Sequence, residues 1–298
     1  MKIGVVIMLA ELRSLQRAHR FTEIREMALR AEGLGLDSIW LYDHLLYRPE
    51  SQGTIGIWEC WTMLSALAVA TSRVELGTLV VCNSFSNPGI LVKMAETVDE
   101  ISNGRLILGL GAGWNKPEYE AFGIPYDHRV SRFEEALQVI KPLLADGRVD
   151  YAGQYYQMKD CEIRPRGPRP GKIPLLVGCS EPRMLRLTAK YADMLNVGYM
   201  STSDTFIKYM ENMKSACEEV GRDPNTLEMT ALISLGFPDL IEKMPEFEHG
   251  VLSGKAPALA EAMRGYEALG LRHIMFHLIP YSNETLERLG EAVRDYKM

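Results

Sequence analysis

Residues Val74–Trp114 read VELGTLVVCNSFSNPGILVKMAETVDEISNGRLILGLGAGW. Two apolar runs, Val74–Val81 and Arg105–Leu110, flank a segment in which Ile90, Leu91, Met94, Val98 and Ile101 recur at helical spacing. The stretch is therefore a strand, a helix and a second strand. Strands apolar at successive positions are those of a parallel sheet buried on both faces. The first run leads into Cys82-Asn83-Ser84 and the second into Gly111-Ala112-Gly113-Trp114, and loops of this kind are where chemistry is expected.

Working outward, the same unit recurs. Lys2–Met8 reads as a strand, Phe21–Gly33 as a helix with Ile24, Met27, Ala28 and Ala31 on one face, and Ser38–Tyr42 as a second strand. Helices at 58–71 and 130–145 follow, then strands at 174–179, 193–197, 227–233 and 272–278, with helices at 181–191, 204–220, 257–269 and 284–296. Eight strands, each followed by a helix, make the α/β pattern of a (β/α)8 TIM barrel, with a doubly wound sheet as the alternative. No linker divides the chain, so residues 1–298 read as one domain with an irregular insertion around 146–173. That insertion carries RPRGPRPGK at 164–172, whose four basic residues read as structural because the run precedes strand five, away from a barrel's catalytic end.

Composition narrows the function. A net charge of −6 disfavours a general nucleic-acid binder. Five cysteines without CxxC spacing indicate neither a disulfide framework nor a zinc site, and fit reduced thiols in a cytoplasm. No apolar run reaches membrane length, and the first residues are too short an apolar run for a signal sequence.

In a barrel the reacting groups sit where strands end. His44 closes strand two within WLYDHLLY, where an imidazole can move a proton near neutral pH or can tie down the loop through a carboxylate such as Asp43. Gly109, Gly111 and Gly113 form GLGAG, which fails as a dinucleotide fingerprint because Trp114 stands where the third glycine belongs and no helix is expected directly behind it. Its glycines permit close approach of a planar ligand or of another backbone, and Trp114 is the adjoining wall. Gly178-Cys179-Ser180 leads into a helix with Ser180 as expected N-cap, a seat for phosphate; Ser253-Gly254-Lys255 is its rival. His273 and His277 lie on one face of strand eight, about 13 Å apart at 3.3 Å per residue, too far for one metal ion, with His273 expected at the solvent rim. No metal centre is expected.

LYDHLLY, the long block from LGTLVV to SRFEEAL, IPLLVGCSEPRMLRLTAKYADMLNVG and the closing YEALGLRHIMFHL together resemble the luciferase-like monooxygenase superfamily, and within it the branch that uses coenzyme F420. The resemblance covers nearly the whole chain. It implies a barrel holding a flavin-type ring at its C-terminal face, with His44 as the active-site histidine and a non-prolyl cis peptide at Leu79-Val80 behind the ring. It implies that Cys82 and Asn83 lie near the ring, with Asn83 bonding its polar edge, that Gly111, Ala112 and Gly113 form the floor at strand four, and that Gly178, Cys179 and Ser180 seat the phosphate. Trp114 stands where the family's sugar-phosphate dehydrogenases carry a glutamate acid, which disfavours that substrate class. Trp114, Arg48 and His277 are then substrate-side residues, and Arg48 and Lys116 could meet an anionic tail. The implied activity is hydride transfer between F420 and a small organic substrate, in a homodimer. The alternatives are an FMN-dependent monooxygenase using dioxygen, or a flavin-binding barrel without catalysis.

Overall fold

A computed structural model of the chain describes residues 1–12, 15–49, 53–200, 203–242, 244 and 250–298. Among them, eight parallel strands close into a barrel: β1 (Lys2–Val6), β2 (Ser38–Leu41), β3 (Glu75–Thr78), β4 (Leu106–Gly111), β5 (Leu175–Gly178), β6 (Met194–Val197), β7 (Glu228–Gly236) and β8 (His273–Ile279). Each pairs with its neighbours in sequence; β8 returns to β1, with Lys2 opposite His273. The doubly wound alternative is excluded by that closure.

Eight helices form the outer ring: α1 (Phe21–Gly33), α2 (Cys60–Ala70), α3 (Pro88–Ile101), α4 (Arg129–Asp146), α5 (Pro182–Tyr191), α6 (Ser203–Glu219), α7 (Ala256–Ala268) and α8 (Asn283–Lys297). The α1 face is the expected one, with Ile24, Met27, Ala28 and Ala31 all buried. That of α3 differs. Leu91, Val92, Ala95 and Val98 are buried, whereas Ile90 and Ile101 face solvent. The inward stripe also includes Glu96 and Asp99, acids that hydropathy alone assigns to the surface.

Those acids explain the basic run. Arg166 pairs with Glu96 at 2.9 Å and Arg169 with Asp99 at 2.7 Å, so the proline-rich segment is strapped onto α3. The insertion is also more regular than expected, because Arg148–Ala152 and Gln157–Glu162 form an antiparallel hairpin.

Inside the barrel, Val6, Trp40, Ile107, Leu176, Met194 and Met275 make a packed core. His273 belongs to that interior and not to the solvent rim. Alternation along β8 turns it inward, where it is fully buried beside Trp40, with Nε2 2.6 Å from Ser38 Oγ. The interior packing leaves only the strand ends open to chemistry.

Candidate active site

At the C-terminal mouth of the barrel a cavity of about 690 Å3 is walled by residues of all eight strands or the loops after them. A cavity of about 770 Å3 at the opposite end is lined by strand starts and by charges of both signs, including Lys2, Glu75, Glu228 and Arg272. The mouth is the better candidate because polar groups converge there on an apolar floor.

The floor comes from an irregularity in the third strand. Gly77 faces Ile107 and Val81 faces Leu110, so strand three holds one residue more than β4 over that interval. The Leu79–Val80 peptide within the bulge is cis, and both side chains line the cavity. This accounts for two of the glycines. A Cβ on Gly111 would come within 2.7 Å of Val80 Cγ2, and one on Gly178 within 3.1 Å of Val80 Cγ1. Both positions are bare so that Val80 can lie flat between them, which makes their role packing beneath the floor. Gly113 has φ +77°, and a Cβ there would meet the Tyr119 hydroxyl at 1.9 Å.

His44 reaches the wall at the end of β2. Its Nδ1 lies 3.0 Å from Glu118 Oε1, and Glu118 also accepts from the Leu45 N–H at 2.9 Å. Glu118 is 1% exposed. A carboxylate that accepts at Nδ1 places the proton there in the neutral ring, leaving Nε2 as the nitrogen able to serve the cavity. Asp43, the partner considered from sequence, bonds instead to the Cys82 N–H at 3.1 Å. Glu118 lies 74 residues from His44, and no local pattern links the two. It arrives on the short helix Lys116–Phe122, which does open directly behind the GLGAG turn, with Asn115 as N-cap and proline in its first turn.

Around His44 the wall is aromatic. The rings of Tyr47 and Trp114 lie 4.6 and 5.5 Å from it, and Tyr42 and Tyr199 add two more surfaces. Trp114 is 64% exposed and forms the rim. His277 is also on the wall, against Tyr199 at 5.9 Å. Burial pushes the thiols of Cys82 and Cys179, which line the cavity, up to about 12 and about 11.

Ala112, Gly113, Gly178, Cys179 and Ser180 are on the wall as well. Glu181, and not Ser180, is the N-cap of α5, one residue later than expected. Three sequence candidates lie elsewhere. Asn83 is fully buried behind the wall, donating to Tyr156 Oη at 3.3 Å. Arg48 is exposed and donates to Thr54 Oγ1, and Lys116 pairs with Glu120 along its own helix. The rival seat at 253–255 is off the wall, with Lys255 the N-cap of α7. Among the described residues the wall's cation is Arg129, which composition did not single out. Its guanidinium donates to Gly113 O at 3.1 Å and lies over Tyr126. Among the described residues no cluster of three or more His, Cys, Asp or Glu could hold a metal ion.

The family model described as luciferase-like monooxygenase matches residues 1–238. The chain belongs to the luciferase-like monooxygenase family. Among its relatives in that family, an F420-dependent glucose-6-phosphate dehydrogenase from Amycolatopsis mediterranei is 30% identical over 233 residues, covering 75% of this chain and 68% of the relative. A 5,10-methylenetetrahydromethanopterin reductase from Archaeoglobus fulgidus is 28% identical, covering 72% and 60%. A pyrimidine monooxygenase from Enterobacter cloacae is 33% identical, covering 59% and 50%, so the match spans only half of that enzyme. In structure, this luciferase-like chain resembles an F420-dependent secondary alcohol dehydrogenase with TM-score 0.82 at 20% identity, over 99% of this chain and 98% of that one. The coenzyme F420-dependent tetrahydromethanopterin reductase of Methanopyrus kandleri gives 0.79 at 19%, over 99% of each. At such identities the likeness is one of fold. The family and its named relatives make the chain one of the luciferase-like oxidoreductases.

Proposed function

We propose that this protein passes a hydride between coenzyme F420 and a small organic substrate, with His44 managing the accompanying proton. The observation that carries the reading is the pairing of an apolar floor, Leu79 and Val80, with one imidazole whose Nδ1 is held by a buried glutamate. The residues present fit a flavin-type ring. The cavity has the volume of a site for such a ligand, its floor is flat and apolar, and Ser180 with the N-terminus of α5 offers unpaired N–H groups for a phosphate. A bound deazaflavin would supply the carbon that gives or takes hydride; the protein supplies orientation and the proton. Gly111, Ala112 and Gly113 border the ring in this reading, and Arg129 meets the anionic tail.

Trp114, Tyr47 and Tyr199 favour a substrate that is apolar or aromatic. The sugar phosphate named for the Amycolatopsis relative is disfavoured, since the rim carries Trp114, which has no proton to transfer. The similarity to a pyrimidine monooxygenase supports a second reading, in which the ring is FMN and the co-substrate dioxygen.

Titrating the purified protein with F420 and FMN in parallel, followed by fluorescence and calorimetry, tests both readings. Micromolar binding of F420 with weak FMN binding supports the first. Preference for FMN moves the protein to the monooxygenase reading, and binding of neither leaves a barrel without a redox role. Replacing His44 with alanine is expected to lower turnover roughly 100-fold; unchanged turnover with cofactor bound removes His44 from the chemistry.

A further inference from the structure

Tyr47 follows His44 in the loop that carries the chain away from β2, and its backbone is pinned on several sides. The Leu45 N–H donates to Glu118 at 2.9 Å, and Asn115 Nδ2 donates to Leu46 O at 2.8 Å, so two buried polar residues hold this loop. Leu46 and Tyr47 also pair antiparallel with Gly56 and Ile55, and the Gly56 N–H donates to Glu11 at 2.7 Å. The phenol ring is thereby set 4.6 Å from the His44 ring and 6.3 Å from that of Trp114. Asn115 and Glu118 position His44 and Tyr47 as one unit on the cavity wall.

The two tyrosines beside His44 differ in what their hydroxyls do. That of Tyr42 accepts from the Leu9 and Ala10 N–H groups, both at 2.8 Å, and turns its own hydrogen to Met8 Sδ at 3.0 Å, so it is consumed within the wall. That of Tyr47 bonds to no described residue, and it is not among the wholly buried polar atoms left without a partner, so it opens into the cavity. Burial first, and then Tyr42, Tyr199 and Glu118, hold Tyr47 well above the usual phenol range, which keeps its proton in place as a donor. A molecule that covers this hydroxyl strips its water, and the loss is made good only where the molecule brings an acceptor. Glu118 faces the phenol with negative charge, so a neutral oxygen suits the position better than a carboxylate.

We infer that Tyr47 determines specificity: its hydroxyl donates to a neutral oxygen that the substrate carries beside an otherwise apolar or aromatic body. The inference rests on the reading of this cavity as a redox-ring site, in which the ring covers the floor and the aromatic wall is left to the substrate. It sorts substrates by more than apolar area, because a hydrocarbon of the same shape leaves the Tyr47 hydroxyl desolvated and unpaired.

The test uses acetophenone and α-methylstyrene, which share one shape and differ in having C=O or C=CH2. Wild-type protein and the Y47F variant are each loaded with the ring that the wild type binds, F420 or FMN, and titrated with both probes by calorimetry. The ratio of acetophenone to α-methylstyrene affinity is expected to fall about fivefold in Y47F, the loss of one neutral hydrogen bond. The infrared C=O stretch of bound acetophenone is expected at lower frequency in the wild type than in Y47F, because a donor at the oxygen weakens that bond. An unchanged ratio or an unchanged stretch overturns the inference. So does the absence of acetophenone binding by the ring-loaded wild type, or a loss of ring affinity in Y47F, which assigns the hydroxyl to the cofactor. Each of these leaves the redox-site reading standing, whereas binding of neither ring by the wild-type protein overturns both.

Discussion

His44 has one nitrogen committed to Glu118, and that commitment makes its other nitrogen predictable. Replacing Glu118 with glutamine keeps the size of the side chain and an acceptor for the Leu45 N–H, but removes the carboxylate that fixes the ring. Turnover is expected to drop roughly tenfold while the KM for substrate stays within about twofold, as for a positioning residue; steady-state kinetics separates the two constants. His273 carries a different prediction. Burial lowers it from 6.5 to about 3, so between those values the unfolded chain takes up a proton that the folded protein does not. Stability is thus undiminished above pH 6.5 and falls as pH drops from 6.5 toward 3. H273Q should lose this part of the acid sensitivity, seen as a shallower dependence of the urea midpoint on pH; an unchanged slope shows that other groups carry it. The position of His44 at a strand end was legible in the sequence. Glu118 was not, because its meeting with His44 spans 74 residues and the helix presenting it starts at Lys116-Pro117, a pair that reads as a turn.

The elements that shape the site are the bulged third strand and helix α3. Each glycine beside Val80 can be tested alone. G111A forces Val80 toward the cavity, and weaker ring binding by about tenfold with a folded protein is the expected result, read by cofactor titration and circular dichroism. Helix α3 holds the proline-rich strap through buried acids. Asp99 accepts from Arg169 and from the Leu106 N–H, so D99A leaves a partly buried guanidinium without its counter-ion, held only by the Leu106 carbonyl, and a strand N–H without its acceptor. A loss of about 3 kcal/mol in urea unfolding is expected. Helical spacing correctly located α3 but misassigned Ile90 and Ile101 to its inner face. Periodicity reports where apolar residues lie, and here the inward stripe contains two acids whose partners come from 70 residues away.

Over the whole molecule, Val69 at 76% and Ile90 at 59% exposure are apolar side chains on the outer faces of neighbouring helices α2 and α3. Exposed apolar side chains of this kind fit the contact face of a homodimer. Light scattering should then give about twice 33.6 kDa, and the V69E/I90E double variant 33.6 kDa; a monomeric wild type rejects the dimer. No helix among the described residues is long and apolar enough to cross a membrane, and all five cysteines are free thiols. The sequence by itself determined the run of eight strand–helix repeats with doubly buried apolar strands, which favours a barrel, and the pairing of β8 with β1 then excluded the doubly wound sheet. It also placed His44, the glycine-rich turn and the loop after strand five at one end, since position along a strand dictates which end a residue occupies. Only the tertiary structure decided which groups touch. The partner of His44, the anchoring of Asp43, the packing of Val80 against two bare glycines and the burial of His273 all depend on contacts between distant segments, which local periodicity does not encode.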